Sequence, residues 1–220
     1  MVCDNKAVED YYLEKYNKQT KMIPYGAKLL TQSSGALDEE ILSKYSLIQK
    51  KYFIFIGRLV PEKGVHNLIK AYLKLNTKMS LVIIGDDKDT EYKKSLLKYN
   101  SDNIKFLGYI YGEKYECLLK NALLYVTASE LEGTSPSLLA AMGAGVCTLV
   151  NGIEENLYTI EDSGYFYKKN DLEDFISIWS DLLNDNNKIM SMASKGKDYV
   201  FKKYDWKVIA ENYINLFNEL

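Results

Sequence analysis

Apolar positions along this chain follow two alternating rhythms. Unbroken runs (YFIFI at 52–56, LVII at 81–84, LLYVT at 123–127) have the length and composition of strands buried on both faces. Between them, apolar residues recur every three or four positions. In 64–75, Val65, Leu68, Ile69, Tyr72 and Leu73 share one helical face. The pattern predicts helices over 7–16, 37–45, 64–75, 91–99, 113–121, 136–142, 171–183, 186–201 and 206–217. It predicts strands over 52–56, 81–84, 104–107, 123–127, 146–150 and 164–167, an extended piece at 22–25 and a loop at 33–38. Such alternation implies an α/β fold, a parallel sheet with helices on both faces. Ligands in such sheets bind at the carboxyl ends of the strands, near a switch in strand order. Chemistry is therefore expected in the loops after Ile56, Ile84, Leu107 and Thr127.

Composition narrows the function. Lys and Arg number 28 against 30 Asp and Glu, which argues against a nucleic-acid partner. No stretch reaches the ~18 apolar residues of a membrane span; the longest candidate, 138–150, is broken by Gly143, Gly145 and Thr148. Acids appear early (Asp4, Glu9, Asp10) with no apolar signal segment, so a cytoplasmic location is expected. The opening VCDN reads as a strand already ending, as in a piece of a longer protein. Cys3, Cys117 and Cys147 show no CxxC spacing, so neither a disulfide framework nor a zinc site is indicated. Cys147, within VCTLV, is expected to be a buried thiol. The 19 tyrosines read as compositional bias with no site attached.

Two loops carry candidate chemistry. The first, GRLVPEKG at 57–64, follows a strand and opens a helix; Gly57 permits a sharp turn, and Arg58 and Lys63 suit a diphosphate. Alternatively it is a solvated loop whose charges pair with Glu62 or nearby acids. The second runs from Glu130 through Gly145. Ser135 is a good N-cap, Pro136 fits the first helical position, and the helix start is a ready anion site. Gly133 and Thr134 would let the backbone approach a phosphate, and Glu132 suits neutral sugar hydroxyls. Alternatively the segment is a capped core helix behind a polar loop. Together the loops fit a nucleotide diphosphate joined to a sugar.

GRLVPEKG followed by EGTSPSLLAAMGAG, with DNKAVEDYYLEKY, IPYGA, NIKFLGYI and YDWKVIAENYINLF at matching spacings, resembles the retaining family 4 ("group 1") glycosyltransferases of GT-B fold, among them enzymes of bacterial surface polysaccharides. The resemblance implies a Rossmann-like donor-binding half of a GT-B fold over 31–203. Residues 1–30 would end the first domain and link it, and 204–220 would be a helix crossing back. It implies transfer of a sugar from a nucleotide-diphosphate donor, UDP first and GDP or dTDP next. The acceptor would be a glycan or lipid-linked molecule in O-antigen or capsule synthesis, reached through the first domain. It implies no metal or redox cofactor. Arg58 and Lys63 would hold the diphosphate and stabilise the leaving nucleotide. Glu132 would contact donor sugar hydroxyls; Gly57, Gly133, Thr134 and Ser135 would complete the donor site; backbone at Tyr109 and Ile110 would meet the base.

One position departs from the family. Its second Glu, eight residues after the first, is here Ala140. Losing a charged acceptor would cost about 1.5–3 kcal/mol of binding. Either the donor is held differently, or activity is weak, or the alanine is an introduced change; a non-catalytic nucleotide-sugar-binding module is the rival reading. The isolated chain is expected to bind donor but transfer little. A dehydrogenase is disfavoured because no GxGxxG follows a strand. His66 is expected to have a structural or solvent role, Asp86 and Asp87 to cap the next helix, with contact to a ribose as the alternative, and Trp206 to pack at the start of the last helix. The lysines of 186–201 are expected to be a solvated face, with peripheral contact to an anionic membrane as the alternative.

Overall fold

The computed structural model describes residues 1–27, 30, 35–88 and 90–219. A two-residue strand β1 (Val2–Cys3), helix α1 (Lys6–Tyr16) and strand β2 (Lys21–Met22) open the chain, and the two strands pair in parallel. After α2 (Gly35–Lys44) come β3 (Tyr52–Ile56), a 3-10 turn at Pro61–Lys63, α3 (Val65–Lys74), β4 (Ser80–Ile84), α4 (Glu91–Leu97), β5 (Ile104–Phe106), α5 (Gly112–Lys120) and β6 (Leu124–Thr127). Then follow α6 (Pro136–Gly143), β7 (Cys147–Gly152), α7 (Glu154–Ile160), β8 (Tyr165–Lys168), α8 (Leu172–Leu183), α9 (Asn186–Lys203) and α10 (Trp206–Asn218).

The main sheet has the order β5-β4-β3-β6-β7-β8, all parallel. The chain enters at the centre with β3, builds outward through β4 and β5, then returns to build the other wing from β6. The strand order therefore switches between β3 and β6, the crevice where such sheets take ligands. Period-two alternation splits the core into two layers. Tyr52, Ile54, Val82, Ile84 and Tyr125 face the layer of α2, α5 and α6. Phe53, Phe55, Leu81, Ile83, Leu124 and Val126 face the layer of α3 and α8, where Trp179 is fully buried. Both layers are apolar, which is why these strands read as unbroken hydrophobic runs.

The expected α/β class, a Rossmann-like parallel sheet with helices on both faces as in one half of a GT-B fold, is borne out. Element boundaries agree to within about two residues for most segments. The exceptions have physical reasons. The expected loop at 33–38 falls partly outside the described residues (33 and 34), and from Gly35 the chain is already in α2. Helix α7 gave no sequence signal, because it has two turns and no side-chain cap. Asp86 and Asp87 do not cap α4. Thr90 does, accepting from the Lys93 amide, while the Asp86 carboxylate sits 2.6 Å from Lys93 Nζ. Trp206 does begin α10; its ring lies over Gly26, where a Cβ would come within 2.4 Å of it. Cys147 is a free, buried thiol whose pKa burial pushes up to about 12.

Candidate functional site

The 57–64 loop leaves β3 and the 128–135 loop leaves β6, so the two lie side by side at the switch point. They are bolted together by backbone. Glu130 N–H donates to the Glu62 carbonyl at 2.8 Å. Gly64, at φ 62°, lies so close to the Ala128 carbonyl that a Cβ would stand 2.0 Å from its oxygen. Glycine is required there by both conformation and space. The next loop is tied in the same way: Gly57 N–H donates to Ile84 O at 3.0 Å, and Gly85 N–H to Gly108 O at 2.8 Å.

Both predicted cations stand at this edge, each beside a carboxylate. Arg58 is largely exposed and lies 3.8 Å from Glu62, the local pairing that a solvated loop would give. Lys63 instead crosses between the loops and donates to Glu132 Oε1 at 2.6 Å; the two side chains are 18% and 9% exposed. The ammonium expected to meet diphosphate and the carboxylate expected to meet sugar thus touch each other.

The start of α6 is built as its sequence predicts. Ser135 caps the helix by accepting from Leu138 N–H, and Pro136 follows at the first helical position. Ser135 Oγ lies 3.2 Å from Ser137 Oγ, which lies 3.0 Å from the buried Tyr125 hydroxyl. Burial, with the Glu132 charge adding to it, holds that phenol well above the ordinary tyrosine pKa. Thr134 is buried and already occupied: its hydroxyl donates to the Asp4 carbonyl, and its N–H to Asp4 Oδ2 at 3.3 Å. Asn5, the N-cap of α1, donates to Thr134 Oγ1 at 3.4 Å and to Glu155 O at 3.1 Å. Asp4 Oδ2 also fills the space a Cβ at Gly133 would need, 2.6 Å away. A carboxylate therefore already sits against the 133–134 backbone. Nothing local to EGTSPS could have signalled this, because its partner lies 130 residues away.

Beside Arg58 opens a cleft of about 370 Å³ walled by Gly57, Gly85, Tyr109, Ile110, Tyr111 and Tyr115. The Tyr109 and Tyr111 rings stack, with centroids 6.1 Å apart at 18°. Gly57, Arg58, Tyr109 and Ile110 are thus brought together, but Tyr111 and Tyr115 were missed, hidden in the high tyrosine content. Their signal was position: both follow Gly108, at the exit of β5. Ala140, on α6, packs half-buried in the same core layer as Ile110 and Tyr115. His66 lies at the start of α3, its Nδ1 3.0 Å from the Tyr92 hydroxyl. Among the described residues, no group of three or more His, Cys, Asp or Glu side chains is gathered as a metal site requires.

Residues 38–213 match the family model described as glycosyl transferases group 1. The chain belongs to that family. One uncharacterized glycosyltransferase of Methanocaldococcus jannaschii is 29% identical across the whole chain and 58% of its own length; another is 30% identical over 76% of the chain and 45% of its own length. The O-antigen chain mannosyltransferase B of Escherichia coli is 25% identical over 82% of the chain and 49% of its own length. The chain spans about half the length of the curated relatives it matches. Among solved structures, Anabaena HepE in complex with UDP-glucose superposes with a TM-score of 0.91 at 18% identity, covering 100% of this chain and 63% of that one. The sucrose-phosphate synthase of Thermosynechococcus elongatus gives 0.81 at 20%, covering 99% and 57%. This group 1 domain therefore carries its switch-point loops on a fold shared with a UDP-glucose-binding protein.

Proposed function

We propose that this chain is the nucleotide-sugar-binding half of a retaining, family 4 glycosyltransferase, with a UDP-sugar as donor. The observation that carries the reading is the convergence, at one sheet edge, of Arg58, Lys63, Glu132 and the aromatic cleft at Tyr109 and Ile110. The cleft is apolar and flat-walled, as a nucleobase requires. Arg58 stands between it and Lys63 along the 57–64 loop, where a diphosphate would lie. Glu132 is next in line, where the sugar hydroxyls would come. In the reaction, the bond from the sugar's anomeric carbon to the diphosphate oxygen breaks and its electron pair leaves with the nucleotide. The acceptor hydroxyl oxygen bonds that carbon, and its proton passes to the departing phosphate. Arg58 and Lys63 stabilise the charge that develops on the diphosphate; the reading calls for no metal or redox cofactor. Thr134 acts as a brace for the loop, its polar groups being committed to Asp4.

HepE's complex with UDP-glucose supports UDP as the first nucleotide to test, and GDP and dTDP stay in the panel as the alternatives. The acceptor in this reading is a glycan or lipid-linked molecule of surface-polysaccharide synthesis, bound by sequence beyond this chain, so the isolated chain binds donor and transfers little. A thermal-shift panel of UDP, GDP, dTDP, CMP and NAD tests it. A nucleotide at 100 times its dissociation constant adds about 2.7 kcal/mol, which raises the Tm of a chain this size by roughly 5–11 °C. A shift with one nucleoside diphosphate and none with NAD is expected. A flat panel removes the donor-site assignment.

A further inference from the structure

At the opposite end of the sheet, where β3, β4, β6 and β7 begin, lies a second and larger cavity of about 500 Å³. Its apolar wall includes Leu123, Ile189 and Met190, and Lys50, Lys51 and Lys197 stand around it. None of the described residues lining it is acidic. The contrast along α9 is informative. Lys188, Lys195 and Lys203 each face a carboxylate, of Asp185, Asp162 and Glu161 respectively. Among the described residues no carboxylate pairs with Lys197, and Lys50 donates two of its three ammonium protons to the carbonyls of Lys120 and Ala122, at 2.8 and 2.9 Å. Burial lowers the Lys50 pKa. Positive charge is thus gathered around an apolar cavity with no acid among its described lining residues. Met190, 70% exposed, projects from α9 at the same cavity.

We propose that this cavity is a membrane-docking site that takes an acyl chain of an anionic phospholipid, with Lys50, Lys51 and Lys197 on the headgroup phosphate. An apolar cavity asks for an apolar tail, and the lysines ask for an anionic head on the same molecule. The exposed Met190 side chain enters the interfacial layer beside them. The donor loops lie at the other ends of the same strands, so a docked domain keeps its nucleotide edge open. The inference stands apart from the donor-site reading, since no residue is shared.

The test is co-sedimentation of the whole chain with vesicles of phosphatidylcholine alone and with about one third phosphatidylglycerol. Three proteins are compared: the parent, Met190→Asp, and Lys51→Glu with Lys197→Glu. Each must keep the parent's melting temperature; if the double charge reversal does not fold, Lys51→Ser with Lys197→Ser replaces it. The expected result is at least fivefold more pelleted protein on anionic than on neutral vesicles, lost in both variants, and undiminished by millimolar glycerol 3-phosphate. Absence of binding to anionic vesicles overturns the proposal. So does equal binding to neutral ones, or displacement by the soluble phosphate. Binding lost with the lysines but untouched by Met190→Asp is adsorption without insertion and also overturns it. A flat nucleotide panel alongside vesicle binding would count against the donor site only.

Discussion

Glu132→Gln should weaken the protein and tighten its grip on a bare nucleoside diphosphate. In the structure Lys63 Nζ lies 2.6 Å from Glu132 Oε1. At an effective dielectric constant of about 20, the gross attraction at that distance is about 6 kcal/mol. Desolvation and the residual exposure of both groups, 18% and 9%, offset much of it. A charge-assisted hydrogen bond of this kind retains about 1.5–3 kcal/mol net. A diphosphate that recruits Lys63 must compete with that bond and must approach a carboxylate. The glutamine is nearly isosteric and still accepts a hydrogen bond, but it carries no charge. If most of the net term is released, UDP binding tightens by roughly 10- to 150-fold, while the Tm falls by several degrees.

Isothermal titration with UDP, and separately with UDP-glucose, reads both halves of this argument. UDP affinity should rise. UDP-glucose should gain less, because the sugar loses a charged acceptor. Lys63→Met is the opposite control: UDP affinity falls, and Glu132 is left without its partner, so stability falls too. Unchanged or weaker UDP binding in Glu132→Gln would show that Lys63 is not the group the diphosphate recruits.

Gly64→Ala should cost more than about 2 kcal/mol, since φ 62° disfavours a side chain and its Cβ would stand 2.0 Å from the Ala128 oxygen; denaturant melts measure the loss, and UDP binding should fall with it as the two loops part. Ala140→Glu should strengthen nucleotide binding by up to roughly 10- to 150-fold if a carboxylate there reaches the ribose, and titration with UDP and 2′,3′-dideoxy-UDP tests this, because only the ribose form should gain. Burial, with Lys70 adding to it, lowers the His66 pKa below the ordinary histidine value of 6.5. The unfolded chain therefore binds more protons near and just below pH 6.5, so stability should decline as pH falls through that value. His66→Gln should flatten that part of the stability profile in melts between pH 7.5 and 5.5; an identical slope in the two proteins would remove His66 from the account.

Where local pattern decides the outcome, the fold was legible from sequence. YFIFI lies along β3 residue for residue because a strand buried on both faces must be apolar throughout. Ser135 followed by Pro136 fixed the start of α6, since a cap and a pre-set φ act within one turn. The site was legible by residue type but not by pairing. Arg58, Lys63 and Glu132 could be named from their loops; that Lys63 reaches Glu132 while Arg58 stays with Glu62 depends on how β3 and β6 sit in the sheet. Asp4 on Thr134 was missed for the same reason, and Tyr111 and Tyr115 in the cleft because they stand among many tyrosines. Contacts across a hundred residues leave no mark within any window of sequence, whereas the place of Tyr111 and Tyr115 just after Gly108 is a local signal that 19 tyrosines mask.

The two ends of the candidate site differ in how much order they already hold. At the diphosphate end, backbone bonds join the 57–64 and 128–135 loops, Gly64 is pressed against Ala128, and Lys63 is seated on Glu132. Donor binding there would exchange one charged partner for another in a frame already paid for by folding, so little conformational entropy is lost. At the base end, Tyr109 and Tyr111 are 57% and 75% exposed and stack on each other, between glycines at 108 and 112 with positive φ. A base entering that cleft would cover exposed aromatic surface, the larger source of net binding free energy. Affinity should therefore depend more on the aromatic cleft, and discrimination between sugar and no sugar more on the Lys63–Glu132 pair. Tyr111→Ala should weaken UDP and UDP-glucose by similar factors, whereas Glu132→Gln should separate them. Parallel losses for both ligands in both variants would show that the ends are one unit and refute the division.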